Sequence, residues 1–280
     1  MVTLLDGAVG TTLWGLADEA GVKRVPVWKY NIEHPELVEK LHEKYIEAGS
    51  QMILANTFGA NGPMVKRVSS YSVSEVVRAG VRIARRVRGD RDVKILCAVG
   101  PLTEFMEPYG DLEEEEVDAI FEEMISAADD EGVDGVMVQT FIDLDTACVA
   151  AKVAKRHNLP TYVTLSFEKS GKTMMGNSVS AVCGRLEEIG VDGVGMNCSL
   201  GPQLALPIIE EFSRTTKLPL VYKPNAGLPV TNPDGSVKAP YTAAMFAQEI
   251  APALGFVSFI GGCCNSDSEY VKEIKKLLDK

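Results

Sequence analysis

Eight short apolar runs recur along the chain, at residues 3–6, 51–56, 94–99, 135–139, 162–166, 193–197, 220–223 and 256–260, alternating with longer polar-faced segments. The runs are continuously rather than alternately hydrophobic, as in Gly135-Val136-Met137-Val138. That is the pattern of parallel strands buried on both faces. Between them, 35–48 carries Leu37, Val38, Leu41, Tyr45 and Ile46 along one side, and 74–88 repeats Val76, Val77, Val81, Ile83, Ala84 and Val87. Spacings of three and four predict amphipathic helices. The same reasoning predicts helices over 111–130, 143–156, 178–188, 203–215, 242–253 and 267–278. Asp111 is placed as a cap, and the acids Glu113 to Glu116 fall where a helix dipole favours negative charge.

Eight strand-then-helix units in 280 residues leave about 35 residues each. This predicts an α/β fold, a single (β/α)8 TIM barrel over 1–280; a doubly wound open sheet is the alternative, and it rarely needs eight such regular units. The longest irregular stretches are 8–32, 59–72, 101–110 and 225–240, and each begins where a predicted strand ends. Barrels of this kind build their active sites on that face.

Charge narrows the partners. With 39 acidic and 28 basic side chains the net charge is −11, which opposes binding to nucleic acid or to an anionic membrane. No apolar run approaches the ~18 residues of a membrane span. The start, Met1-Val2-Thr3-Leu4-Leu5-Asp6, lacks the basic and apolar regions of a secretion signal. A cytoplasmic protein with reduced thiols is the expectation, its special cysteines serving a metal or catalysis.

Three of the six cysteines are candidates for that use. The last strand breaks on Gly261-Gly262 and delivers Cys263-Cys264, while 193–197 ends on Cys198. Neighbouring side chains diverge on a strand, so two thiolates meet one ion only at a sharp turn, and the glycines are expected to supply positive φ there. The sixth and eighth strands bring these ends to one rim of the barrel. Cys198, Cys263 and Cys264 are therefore read as ligands of one zinc, three protein ligands leaving a fourth position open as in catalytic sites. Cys97, Cys148 and Cys183 fall mid-strand or within helices and read as small buried hydrophobes. His34, His42 and His157 lie in or beside predicted helices and are expected at the surface.

The order and spacing of five motifs then resemble a known family. They are Leu5-Asp6-Gly7-Ala8-Val9-Gly10-Thr11, Asn56-Thr57-Phe58-Gly59-Ala60-Asn61, Gly195-Met196-Asn197-Cys198-Ser199, Pro224-Asn225-Ala226-Gly227-Leu228-Pro229 and Gly261-Gly262-Cys263-Cys264. The chain resembles the zinc-dependent homocysteine S-methyltransferases, and most of all the homocysteine-binding domain of cobalamin-dependent methionine synthase. The resemblance implies Zn2+ on Cys198, Cys263 and Cys264. It also implies a substrate pocket of Asp6, Gly7, Ala8, Asn56, Thr57, Phe58, Gln139 and Asn197, with Asp6 near the substrate ammonium. For Asp6 a plain strand-end cap is the alternative. The implied activity is activation of a thiol, homocysteine or a related acceptor, as a zinc thiolate. It takes a methyl group from a corrinoid protein or a small methyl donor. A free thiol has a pKa near 8.5, so little of it is nucleophilic at neutral pH without the metal.

Two positions depart from the family pattern. Gln139 stands where a glutamate is usual, and Lys223 stands where glutamate or an uncharged residue is usual. Lys223 faces either into the mouth or outward beneath a helix. Both changes favour an acceptor that is anionic or lacks an amine. Two other readings stay open: a metal-free lyase or isomerase using Asp6, Gln139 and Lys223, and a non-catalytic zinc-binding relative.

Overall fold

A computed structural model describes residues 2–227, 230–231, 237–238 and 240–280. The strands are β1 Thr3–Leu4, β2 Met52–Ala55, β3 Lys94–Val99, β4 Gly135–Phe141, β5 Thr161–Leu165, β6 Gly193–Asn197, β7 Leu220–Lys223, β8 Val230–Thr231, β9 Val237–Lys238 and β10 Phe259–Ile260. Eight of them form one parallel sheet in the order β1-β10-β7-β6-β5-β4-β3-β2, and β8 pairs only with β9. A parallel bridge between Leu5 and Met52 joins the two ends of the large sheet. The result is the expected (β/α)8 barrel.

Eight helices cover the outside, one after each barrel strand: α3 Pro35–Glu47, α5 Val73–Arg88, α6 Glu114–Asp129, α7 Leu144–Arg156, α8 Val179–Ile189, α9 Pro202–Thr215, α10 Ala243–Ile250 and α11 Ser268–Leu278. Their starts are set by capping side chains. Asp143 accepts from the backbone N–H groups of Asp145 and Thr146 at the head of α7, satisfying donors the helix leaves unpaired. Glu113, not Asp111, caps α6, in a capping box with Glu116.

Three further helices lie in the strand-to-helix connections: α1 Val9–Glu19, α2 Tyr30–Glu33 and α4 Gly62–Val68. The first and third, and all but the last residue of the second, occupy stretches the sequence reading left irregular. The helix-facing sides of the strands make one large apolar layer, while Leu5, Met52, Leu54, Leu96, Ala98, Met137 and Val221 fill the barrel itself. No helix among the described residues is long and apolar enough to cross a membrane.

His42 corrects a surface expectation. It is fully buried in α3 with neither ring nitrogen hydrogen-bonded among the described residues, and burial pushes its pKa down to about 4.

Candidate metal centre

The thiol centre is built by two strand ends. Beyond β6, Cys198 and Ser199 both take left-handed backbone conformations, with φ of +62° and +60°, which cost a non-glycine residue roughly 1–3 kcal/mol each and persist only where the surroundings impose them. The Cys198 N–H donates to the Lys223 carbonyl on β7, and the Cys198 carbonyl accepts from Leu200 N–H at 2.7 Å. Beyond β10 the chain is laced between its neighbours. Gly262 N–H donates to the Asp6 carbonyl and Cys263 N–H to the Pro224 carbonyl, while the Cys264 carbonyl accepts from Ala226 N–H.

Gly261 and Gly262 serve this turn in a different way from that expected. Neither has positive φ. A Cβ at Gly261 would sit 2.6 Å from the Asp6 carbonyl oxygen, and one at Gly262 would sit 2.1 Å from Ser266 Oγ. Space, not backbone handedness, requires glycine here.

The outcome is convergence. The sulfur atoms of Cys198, Cys263 and Cys264 all lie within 4.8 Å of one another, and Cys198 Sγ is 3.6 Å from Cys264 Sγ. Sulfurs at Zn–S distances of about 2.3 Å in a tetrahedron stand about 3.8 Å apart, so the trio fits a metal of that kind with small adjustments. Asn197 braces it. Its Oδ1 accepts from Thr140 N–H and Thr164 Oγ1, each at 2.8 Å, and its Nδ2 donates to Thr140 Oγ1 and toward Cys263 Sγ at 3.6 Å.

Hydrogen bonds from Cys263 and Cys264 hold the Cys198 thiol well below its ordinary pKa. Their hydrogen bonds to Cys198, with burial added, push Cys263 and Cys264 up. Such groups titrate as a set. By contrast burial drives Cys97 and Cys183 to about 12 and Cys148 to about 11. Those three behave as buried hydrophobes.

The trio opens on a cavity of 420 Å³ at the mouth of the barrel. Gly7, Ala8, Phe58 and Gln139, all expected at the substrate, line it. Trp14, Val27, Trp28 and Met64 give it an apolar wall that no sequence signal had pointed to. The Trp28 indole N–H has no partner among the described residues. Asn56, Thr57 and Asn197 are not on the wall. Asn56 Nδ2 donates to the Val27 carbonyl and to Asn31 Oδ1, and Thr57 Oγ1 bonds the Ala98 backbone. These three hold up the elements that carry the lining.

Asp6 and Lys223 are joined. Lys223 Nζ lies 2.6 Å from Asp6 Oδ1, with the two side chains 2% and 0% exposed. The second carboxylate oxygen, Oδ2, accepts from Leu54 N–H at 2.7 Å. Lys223 thus faces inward and itself lines the cavity, while Asp6 is engaged by the protein's own groups. Leu228 and Pro229 of the fourth motif lie outside the described residues.

A (β/α)8 barrel with three convergent thiols beside a deep cavity at its mouth defines the class: a barrel suited to hold a thiophilic metal and a small substrate together. The family model for homocysteine S-methyltransferase matches residues 3–278. The chain belongs to that family of methyltransferase enzymes. It is 30% identical to the methionine synthases of Mycobacterium leprae and Mycobacterium tuberculosis over 96% of its own length, and it spans 24% of each of those relatives. Among solved structures, the Escherichia coli homocysteine methyltransferase MmuM in its metallated form superposes with a TM-score of 0.78 at 20% identity, over 98% of this chain and 96% of that one. Its oxidized form gives 0.80, over 98% of this chain and 95% of that one at 20% identity.

Proposed function

We propose that the protein is a zinc-dependent S-methyltransferase that transfers a methyl group to a small thiol held in the barrel-mouth cavity. The observation that carries this is the placing of three sulfurs within 4.8 Å on the wall of a cavity large enough for a small acceptor. Cys198, Cys263 and Cys264 would hold the metal. When bound there, zinc supplies the Lewis acidity that lets a substrate thiol ionise at neutral pH.

The remaining work falls to the chain. Asn197 fixes Cys263 and the turn at Thr140, which keeps the thiol face oriented. Trp14, Trp28, Phe58 and Met64 exclude water from the acceptor's carbon chain, and a dry wall strengthens the electrostatics within it. The thiol proton leaves to solvent on binding. Its sulfur then forms a bond to the methyl carbon as the donor's bond to that carbon breaks, the electron pair staying with the donor. The donor is a methylcorrinoid or a small methyl donor, and the likeness to methionine synthases supports the former.

The test is production of methyl thioether from a thiol panel by zinc-reconstituted protein with methylcobalamin as donor. Turnover is expected to vanish on chelation and in Cys263→Ser. Turnover indifferent to both would refute the reading and return the metal-free lyase or isomerase to consideration.

A further inference from the structure

We infer that the acceptor is a thiol bearing an anionic group and no amine, such as a short mercaptoalkanoate. This rests on the thiol-methylating reading above and names its substrate class.

Among the described residues that line the cavity, Lys223 is the one lysine, arginine, aspartate or glutamate. An α-ammonium entering this space meets no carboxylate among the described lining residues. Asp6, the acid nearest in role, has one oxygen on Lys223 Nζ at 2.6 Å and the other on Leu54 N–H at 2.7 Å. A substrate ammonium would have to displace a buried lysine to reach it. Gln139 can accept a hydrogen bond from an ammonium but carries no charge.

An anion meets the opposite environment. The Lys223 ammonium has three hydrogens, and its only side-chain hydrogen-bond partner among the described residues is Asp6 Oδ1. Gln139 on the same wall brings an amide donor. A carboxylate seated between them completes an Asp6–Lys223–carboxylate arrangement in a site otherwise lined by Trp14, Trp28 and Phe58. In such surroundings an unpaired charge is heavily penalised. Homocysteine satisfies the carboxylate half of this site and leaves its ammonium without a counter-charge.

Three thiols separate the possibilities: 4-mercaptobutyrate, L-homocysteine, and 3-aminopropane-1-thiol, which carry the acid alone, both groups, and the amine alone. Binding to the zinc-loaded protein is measured by titration calorimetry, and binding to the cobalt-substituted protein by its visible spectrum. The acid is expected to bind about tenfold or more tightly than homocysteine, the size of one lost charge-assisted hydrogen bond, and the amine weakest. In Lys223→Gln the acid is expected to lose about tenfold, while Asp6, freed of its lysine, becomes available to the homocysteine ammonium and the acid's advantage disappears. Homocysteine binding wild-type protein as well as or better than the acid overturns the inference while leaving the thiol reading intact, and wild-type protein alone decides this if the variant fails to fold. If none of the three thiols perturbs the cobalt spectrum, the thiol reading fails and the inference with it.

Discussion

Replacing Lys223 by methionine is the sharpest perturbation of the barrel mouth. The substitution keeps an unbranched apolar stem, one heavy atom shorter, and removes the charge. Asp6 is left fully buried with one carboxylate oxygen bonded to Leu54 N–H and the other without its partner. Breaking one side of a buried pair costs about 3–5 kcal/mol, because the remaining charge stays desolvated. The surviving Leu54 bond places this case near the lower end, at about 3 kcal/mol. For a domain of this size that is a fall in Tm of about 6–12 °C. Asp6→Asn combined with Lys223→Met removes both charges, and is expected to recover most of the loss. The assay is urea denaturation of the four members of the cycle with unchanged slope. A single-variant loss below about 1 kcal/mol, or no recovery in the double variant, would show that the pair is solvated and that Asp6 is not engaged as described.

Other expectations follow from the same geometry. His42 is held neutral, so the unfolded chain binds a proton below about pH 6.5 that the folded one refuses until about pH 4. Stability is therefore lost as pH falls through that window, by about 3 kcal/mol in total, and His42→Leu should flatten the profile relative to wild type; parallel profiles would contradict it. Cys198→Ala should abolish tight zinc binding while Cys183→Ala retains one equivalent by metal analysis, and equal stoichiometry in both would count against the trio. Asn197→Ala removes the brace on Cys263 and should weaken zinc about 10–100-fold, read by chelator competition; unchanged affinity would make Asn197 purely structural.

Much of the barrel was legible because parallel buried strands leave continuous apolar runs. The bounds of β3, β6 and β7 follow directly from such runs. The helix α1 was missed because Val9, Leu13 and Leu16 follow a strand end so closely that the segment reads as connection. The inward direction of Lys223 follows once the structure fixes the side of one neighbour on its strand. Val221 faces the barrel interior, so by strand alternation residue 223 faces inward too. What no linear pattern gives is which way a strand's pleat is phased relative to the barrel axis, and that alone decides whether Lys223 meets Asp6. Gly261 and Gly262 make the same point: their need is set by the Asp6 carbonyl and Ser266, the first of them some 255 positions away in the chain. The apolar wall of Trp14, Trp28 and Met64 comes from three separate connections and leaves no common signal.

The account stands on three cysteines meeting one metal with a position left for an incoming sulfur. X-ray absorption at the zinc edge of the reconstituted protein measures this directly. Three sulfur neighbours near 2.3 Å, rising to four when 4-mercaptobutyrate is added, is the predicted result. Four protein ligands from the start, or a sulfur count that no thiol changes, would contradict it.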